Sequence, residues 1–110
     1  MNIAVVEGIL SSPPRQRTLP SGSRLWIYEV TTGEAGERRG VPVVWLDPSR
    51  PARLGTGDSV VAVGSVRRRF FRGGGGVASR TELDAEVVAA SGSARARRAI
   101  DAARSRIAGP

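Results

Sequence analysis

Val66-Arg67-Arg68-Arg69-Phe70-Phe71-Arg72-Gly73-Gly74-Gly75-Gly76, followed by the return Val77-Ala78-Ser79-Arg80-Thr81, is the stretch from which the fold can be read. The glycine run lets the chain reverse, so the segment predicts the tip of a long β-hairpin. Strand alternation places Arg67, Arg69 and Phe71 on one face and Arg68, Phe70 and Arg72 on the other. Each face therefore sets charge beside an aromatic ring. That combination suits single-stranded nucleic acid, whose phosphates attract cations and whose unpaired bases lie on flat apolar surfaces. The plainer reading is a solvated basic turn with two phenylalanines tucked against the domain, but a projecting hairpin has little core to offer the rings.

The flanking sequence extends the hairpin into a sheet. Ser59 to Phe71 reads as one strand, interrupted at Gly64 where a barrel strand would bend. Val77 to Ala89 returns with Leu83, Ala85 and Val87 inward and Glu82, Asp84 and Glu86 outward. Towards the N-terminus, Asn2 to Leu10 forms the first strand, with Gly8 as a second bend point. Ser11-Ser12-Pro13-Pro14 stops it, and Arg15 to Leu19 is a short extended piece before the turn at Pro20-Ser21-Gly22. Ser23 to Thr32 is the second strand, with Trp26, Tyr28 and Val30 facing the core and Leu25, Ile27 and Glu29 on the wetter side. The third strand, Val41 to Leu46, carries Pro42, which lacks the N–H that a ladder needs and so favours an edge or a bulge. Its apolar row Val41, Val43 and Trp45 exceeds what one core requires and is expected to contribute to a subunit contact. Asp47 to Asp58 is a loop holding at most one helical turn around Ser49 to Leu54. Ser91-Gly92-Ser93 caps a final helix from Ala94 to Ala108, whose narrow Ala/Ile stripe is flanked by arginines. Five strands with glycine bends and a long hairpin between the fourth and fifth predict an all-β, five-stranded Greek-key barrel of the OB type, with a C-terminal Arg-rich helix or flexible tail.

Composition narrows the function. The 110 residues suffice for one domain with a real core. The net charge is +7, and all 17 cations are arginine, the better fork for phosphate and the better plate for stacking on bases. A coding bias towards Arg, Ala and Gly would explain the choice of cation but not its clustering. No cysteine and no histidine occur, which removes thiol chemistry, disulfides, the usual zinc ligands and the commonest general base. The Glu82, Asp84, Glu86 row reads as a solvated face, and no Gly-Lys-Ser/Thr follows the glycine run, so it is no phosphate loop. An enzyme is not expected, nor any cofactor or metal. No apolar run approaches the ~18 residues of a membrane span, and the N-terminus lacks a signal-peptide pattern. The expectation is a soluble cytoplasmic protein associated with the nucleoid, with no membrane partner.

Across about residues 2 to 90 the chain resembles the bacterial single-stranded DNA-binding protein family. The matching stretches are Val6-Glu7-Gly8-Ile9-Leu10, Pro14-Arg15-Gln16-Arg17-Thr18-Leu19-Pro20-Ser21-Gly22, Val43-Val44-Trp45-Leu46 and Gly64-Ser65-Val66-Arg67-Arg68-Arg69-Phe70-Phe71. The resemblance implies an OB barrel that assembles into a homo-oligomer, a dimer or tetramer, and binds single strands without strong sequence preference in DNA replication, recombination or repair. It places Phe71 at a base-stacking position, Arg67 and Arg69 beside that ring, and Arg17 before the turn. Leu46 stands where a stacking phenylalanine is common, and Gly40 where a tryptophan is usual. Trp45, one position over, belongs to the core or a subunit interface. The full set of expected DNA-contacting residues is Arg17, Leu46, Arg67, Arg68, Arg69, Phe70, Phe71, Arg72 and Arg80. Residues 1–90 would form the binding domain and 91–110 the basic helix or tail.

The chain departs from the family in two places. A proline-bearing loop replaces the helix after the third strand, and the acidic tip that recruits repair enzymes is missing, so no such recruitment is expected. The implied protein is a tail-less accessory member. Competing expectations are a primosomal-type OB adaptor that bridges replication-restart proteins, an RNA-binding OB module, and a protein-interaction adaptor that uses the last helix as a docking peptide.

Overall fold

The computed structural model describes residues 1–51 and 53–110. Its elements run β1 (Ala4–Leu10), β2 (Arg15–Thr18), β3 (Arg24–Thr32), β4 (Arg39–Leu46), β5 (Ser59–Gly73), β6 (Gly76–Ala90) and α1 (Ala94–Ala108). Five strands close a ring from β1 to β5, β6, β4, β3 and back to β1. The short piece at Arg15 adds a sixth strand, β2. It shares one edge of β3 with β1: β2 pairs with Arg24 to Ile27, and β1 with Val30 and Thr31. All pairings are antiparallel except β4 with β6, which run parallel where Val43 meets Leu83 and Val44 meets Asp84. Pro42 lies just before that contact, where β4 pairs with β3 alone, so its missing N–H costs no ladder bond.

Two glycines permit the strands to bend into the ring. A Cβ on Gly8 would lie 2.3 Å from the Thr31 carbonyl oxygen, at the point where β1 passes from β5 to β3. A Cβ on Gly64 would lie 2.0 Å from the Asp84 carbonyl oxygen. No side chain fits at either position. At Gly64 the β5–β6 register also shifts, because Val63 faces Val87 while Gly64 faces Ala85, leaving Glu86 as the extra residue of a bulge.

That bulge corrects the alternation read from the sequence. Leu83 and Ala85 point into the barrel with Leu10, Tyr28, Val30, Val43, Trp45, Val60, Ala62 and Val88. Val87, expected inward, lies beyond the extra residue and packs outside with Val61, Val63 and Ala89 against the helix. The third-strand row is also reassigned: Val43 and Trp45 are buried in this core and Val41 packs on it, so the row is not spare surface for a subunit contact. Trp26 and Tyr28 face inward as expected, and their rings stack 6.3 Å apart.

Helix α1 covers the outer side of β5 and β6. Ala96 and Ala103 are buried there, with Ala99 and Ile100 partly covered. Ser93 caps the helix by accepting a hydrogen bond from the Ala96 N–H at 3.1 Å. The first turn has no acidic residue and carries Arg95 and Arg97, against the preference of the helix dipole, so packing on the barrel holds it in place. Arg95 reaches back over the Trp45 ring, 5.2 Å from its centroid, and donates to the Arg50 carbonyl. Between Asp47 and Asp58 the described residues form no helix; the expected turn around Ser49 to Leu54 includes residue 52, which lies outside the described residues. No helix among the described residues is long and apolar enough to cross a membrane.

Candidate nucleic-acid interface

Strand pairing alone assembles one continuous outer face. Arg15 and Arg17 of β2 lie opposite Ile27 and Leu25 of β3, which in turn face Val44 and Leu46 of β4. Val44 adjoins Asp84 of β6, and on the hairpin Glu82 pairs with Arg67, Arg80 with Arg69, and Ala78 with Phe71. The hairpin and β2 rise on either side of this face, so Leu25 and Val44 are buried although they point away from the core. The result is a groove of about 430 Å³ lined by Arg15, Arg17, Leu25, Ile27, Val44, Arg69, Phe71, Arg80 and Glu82. A second hollow of about 210 Å³ adjoins it, with Leu19, Leu46, Arg67 and Asp84 in its lining.

Of the residues singled out from the sequence, Arg17, Arg69, Phe71 and Arg80 meet in the groove, and Arg67 and Leu46 border the neighbouring hollow. Arg68, Phe70 and Arg72 alternate onto the opposite face of the hairpin, where Phe70 is exposed alongside Val66 and Val77. Sequence reasoning missed Arg15, Leu25, Ile27, Val44 and Glu82. The signal was present on β3, where Leu25 and Ile27 share a face with Glu29. Two apolar side chains on a wet face imply that something covers it.

The electrostatics of the groove differ from a plain basic patch. Glu82, expected on a solvated face, is the one charged residue among those described that is buried, with 2% of its side chain exposed. Arg69 Nε donates to its Oε1 at 2.6 Å, and Arg80 Nε lies 3.8 Å from its Oε2. Glu29 Oε1 sits 3.3 Å from Arg15 and 3.9 Å from Arg80, and Asp84 lies 3.4 Å from Arg67. At the end of β4, Asp47 adopts φ 43°, and its carboxylate accepts from the Arg24 N–H at 2.7 Å. That bond, then the Ser23 hydroxyl and the Arg24 charge, holds the Asp47 carboxyl below its usual range and fixes the turn beside Leu46. In the core, Tyr28 Oη has no hydrogen-bond partner among the described residues, and burial pushes its phenol up to about 12.

No group of three or more His, Cys, Asp or Glu residues among those described is arranged to hold a metal ion. Neither the models of protein families nor the curated proteins contain a match to the chain.

Proposed function

We propose that the chain is a single-stranded nucleic-acid-binding module of the OB type, akin to the bacterial single-stranded DNA-binding proteins, and that it acts in DNA replication, recombination or repair without catalysing a reaction. The observation that carries this reading is the groove, where Phe71 shares walls with Arg17, Arg69 and Arg80 over a floor of Leu25, Ile27 and Val44. The topology supports it. Counting the ring strands in chain order, β3 and β4 are the second and third, and an OB barrel binds oligonucleotides on that face and with the loops flanking it. Here those flanks are β2, within the first connection, and the β5–β6 hairpin.

The mechanism follows from the residue types. Bases from an unpaired strand stack on Phe71 and on the apolar floor, each covering surface otherwise left to water, while cations in and around the groove neutralise phosphates. Every base has a π-face, so stacking tolerates any sequence. A duplex keeps its bases stacked on one another and forfeits that contribution.

Fluorescence anisotropy with oligo-dT, oligo-rU and duplex DNA tests the proposal across a salt series. Neutralising three to six phosphates gives a slope of log affinity on log salt of roughly −2 to −4 for a single strand. Equal affinity for duplex, or a flat salt response, contradicts the proposal, and the oligo-rU arm assigns DNA or RNA. The same proposal keeps a second copy of this chain as partner. Val5 and Ile9 of β1 and Val66, Phe70 and Val77 of the hairpin are among its exposed apolar residues, and none of the five lines the groove. Light scattering should give a dimer or tetramer, and a monomer at on the order of tens of micromolar removes that partner.

A further inference from the structure

The groove carries its own counter-ions. Arg15, Glu29, Arg80, Glu82 and Arg69 form an alternating chain of cation and carboxylate from β2 across β3 and β6 to β5. Of the four arginines lining the groove, only Arg17 forms no ion pair among the described residues. The carboxylate at the centre, Glu82, is almost wholly out of water, a position a charge keeps only when paired and hydrogen-bonded.

We infer that Glu82 is a positioning residue, holding Arg69 and Arg80 in the groove as flat plates for bases and leaving Arg17 as the groove's phosphate anchor. This inference rests on the function proposed above. Arg69 is tethered through Nε to a carboxylate that is already desolvated, so a phosphate reaching its terminal nitrogens would meet a charge that Glu82 has already balanced. The guanidinium plane stays available for stacking. Tethering also fixes a long side chain before the strand arrives, so less conformational freedom is lost on binding. The resemblance to single-stranded DNA-binding proteins led us to expect Arg67 and Arg69 as the charge beside the ring. Their pairing with Asp84 and Glu82 transfers the phosphate role to Arg17 in the groove, with Arg68 and Arg72 on the hairpin outside it.

The test reads salt slopes, which count phosphates neutralised and are indifferent to stacking. The full-length chain and its Arg17→Gln, Arg69→Gln and Glu82→Gln variants are titrated with oligo-dT at several salt concentrations. Arg17→Gln should flatten the slope by about 0.7, the value for one lost contact on a single strand. Arg69→Gln should weaken binding about 5-fold or more at an unchanged slope. Glu82→Gln, isosteric and uncharged, should steepen the slope by about 0.7 as a freed arginine takes a phosphate. If Glu82→Gln fails to fold by circular dichroism, the Arg17 and Arg69 variants decide alone. Equal flattening in those two, or an unchanged slope in folded Glu82→Gln, overturns the inference while leaving the proposed function intact. Wild-type protein that binds neither oligo-dT nor oligo-rU overturns both.

Discussion

From Val60 to Gly64 every residue of β5 is buried, whereas from Val66 to Gly73 only Arg69 is even partly covered, and β6 mirrors the change, with Gly76 to Thr81 exposed. The two halves of this hairpin share a ladder and differ in everything around it. The root is packed on both sides, by the barrel core within and by α1 without. The tip has no such cover and offers two faces of arginine and phenylalanine. Stability should therefore reside in the root and recognition in the tip, a gradient of local free energy along one pair of strands. The changeover falls at Gly64, where the bulge turns the strands and brings the tip over the outer face of β3 and β4.

Damage to the root should have the largest effect on stability. Gly64→Val puts a side chain against the Asp84 carbonyl and should cost about 3 kcal/mol or more, and Leu10→Ala in the same core about 2–5 kcal/mol, both read by urea unfolding. Phe71→Ala at the tip should do the reverse, costing ~1–3 kcal/mol of oligonucleotide binding while moving unfolding stability by no more than about 0.5 kcal/mol. Large stability loss from Phe71→Ala, or intact stability in Gly64→Val, would erase the distinction. Ser93→Ala removes the cap of the helix that covers the root and should cost about 1 kcal/mol in urea, with binding unchanged.

The smallest effect concerns the core phenol. Tyr28 is the sole tyrosine, and its hydroxyl has no hydrogen-bond partner among the described residues, so Tyr28→Phe should be neutral or stabilising by about 1 kcal/mol. The unfolded chain releases that proton near 10.0, but the folded one only near 12. The protonated buried phenol therefore contributes stability below pH 10 that is lost as pH rises towards 12. Wild type should weaken over that window more than Tyr28→Phe does, and parallel pH profiles would show that burial does not govern this group.

How far the sequence could be read depends on how local the determining contact is. The inward set Trp26, Tyr28 and Val30, the bends at Gly8 and Gly64 and the glycine reversal are consequences of alternation and backbone sterics within a few residues, and all were legible. Val87 was misplaced because a bulge shifts parity without leaving a mark in its own strand; only the close approach of Gly64 to Asp84 reveals it. Glu82 was misread for a similar reason. Its burial comes from Arg69 on β5 and from the β2, β3 and β4 side chains that line the groove across from it, neither of which is encoded in the pattern of β6. Half of the groove was missed because Arg15, Leu25, Ile27 and Val44 acquire their role only when β2 and the hairpin rise beside them.

The groove as the site of recognition is tested most directly by mapping the backbone amides in a ¹⁵N-resolved NMR titration with oligo-dT. The account predicts that the largest shifts fall on β2, on Leu25 and Ile27 of β3, on Val44 of β4, and on Phe71 and Arg80 of the hairpin, while α1 and the start of β1 stay still. Shifts centred on α1, or on the hairpin face carrying Arg68, Phe70 and Arg72 with the groove silent, would contradict it.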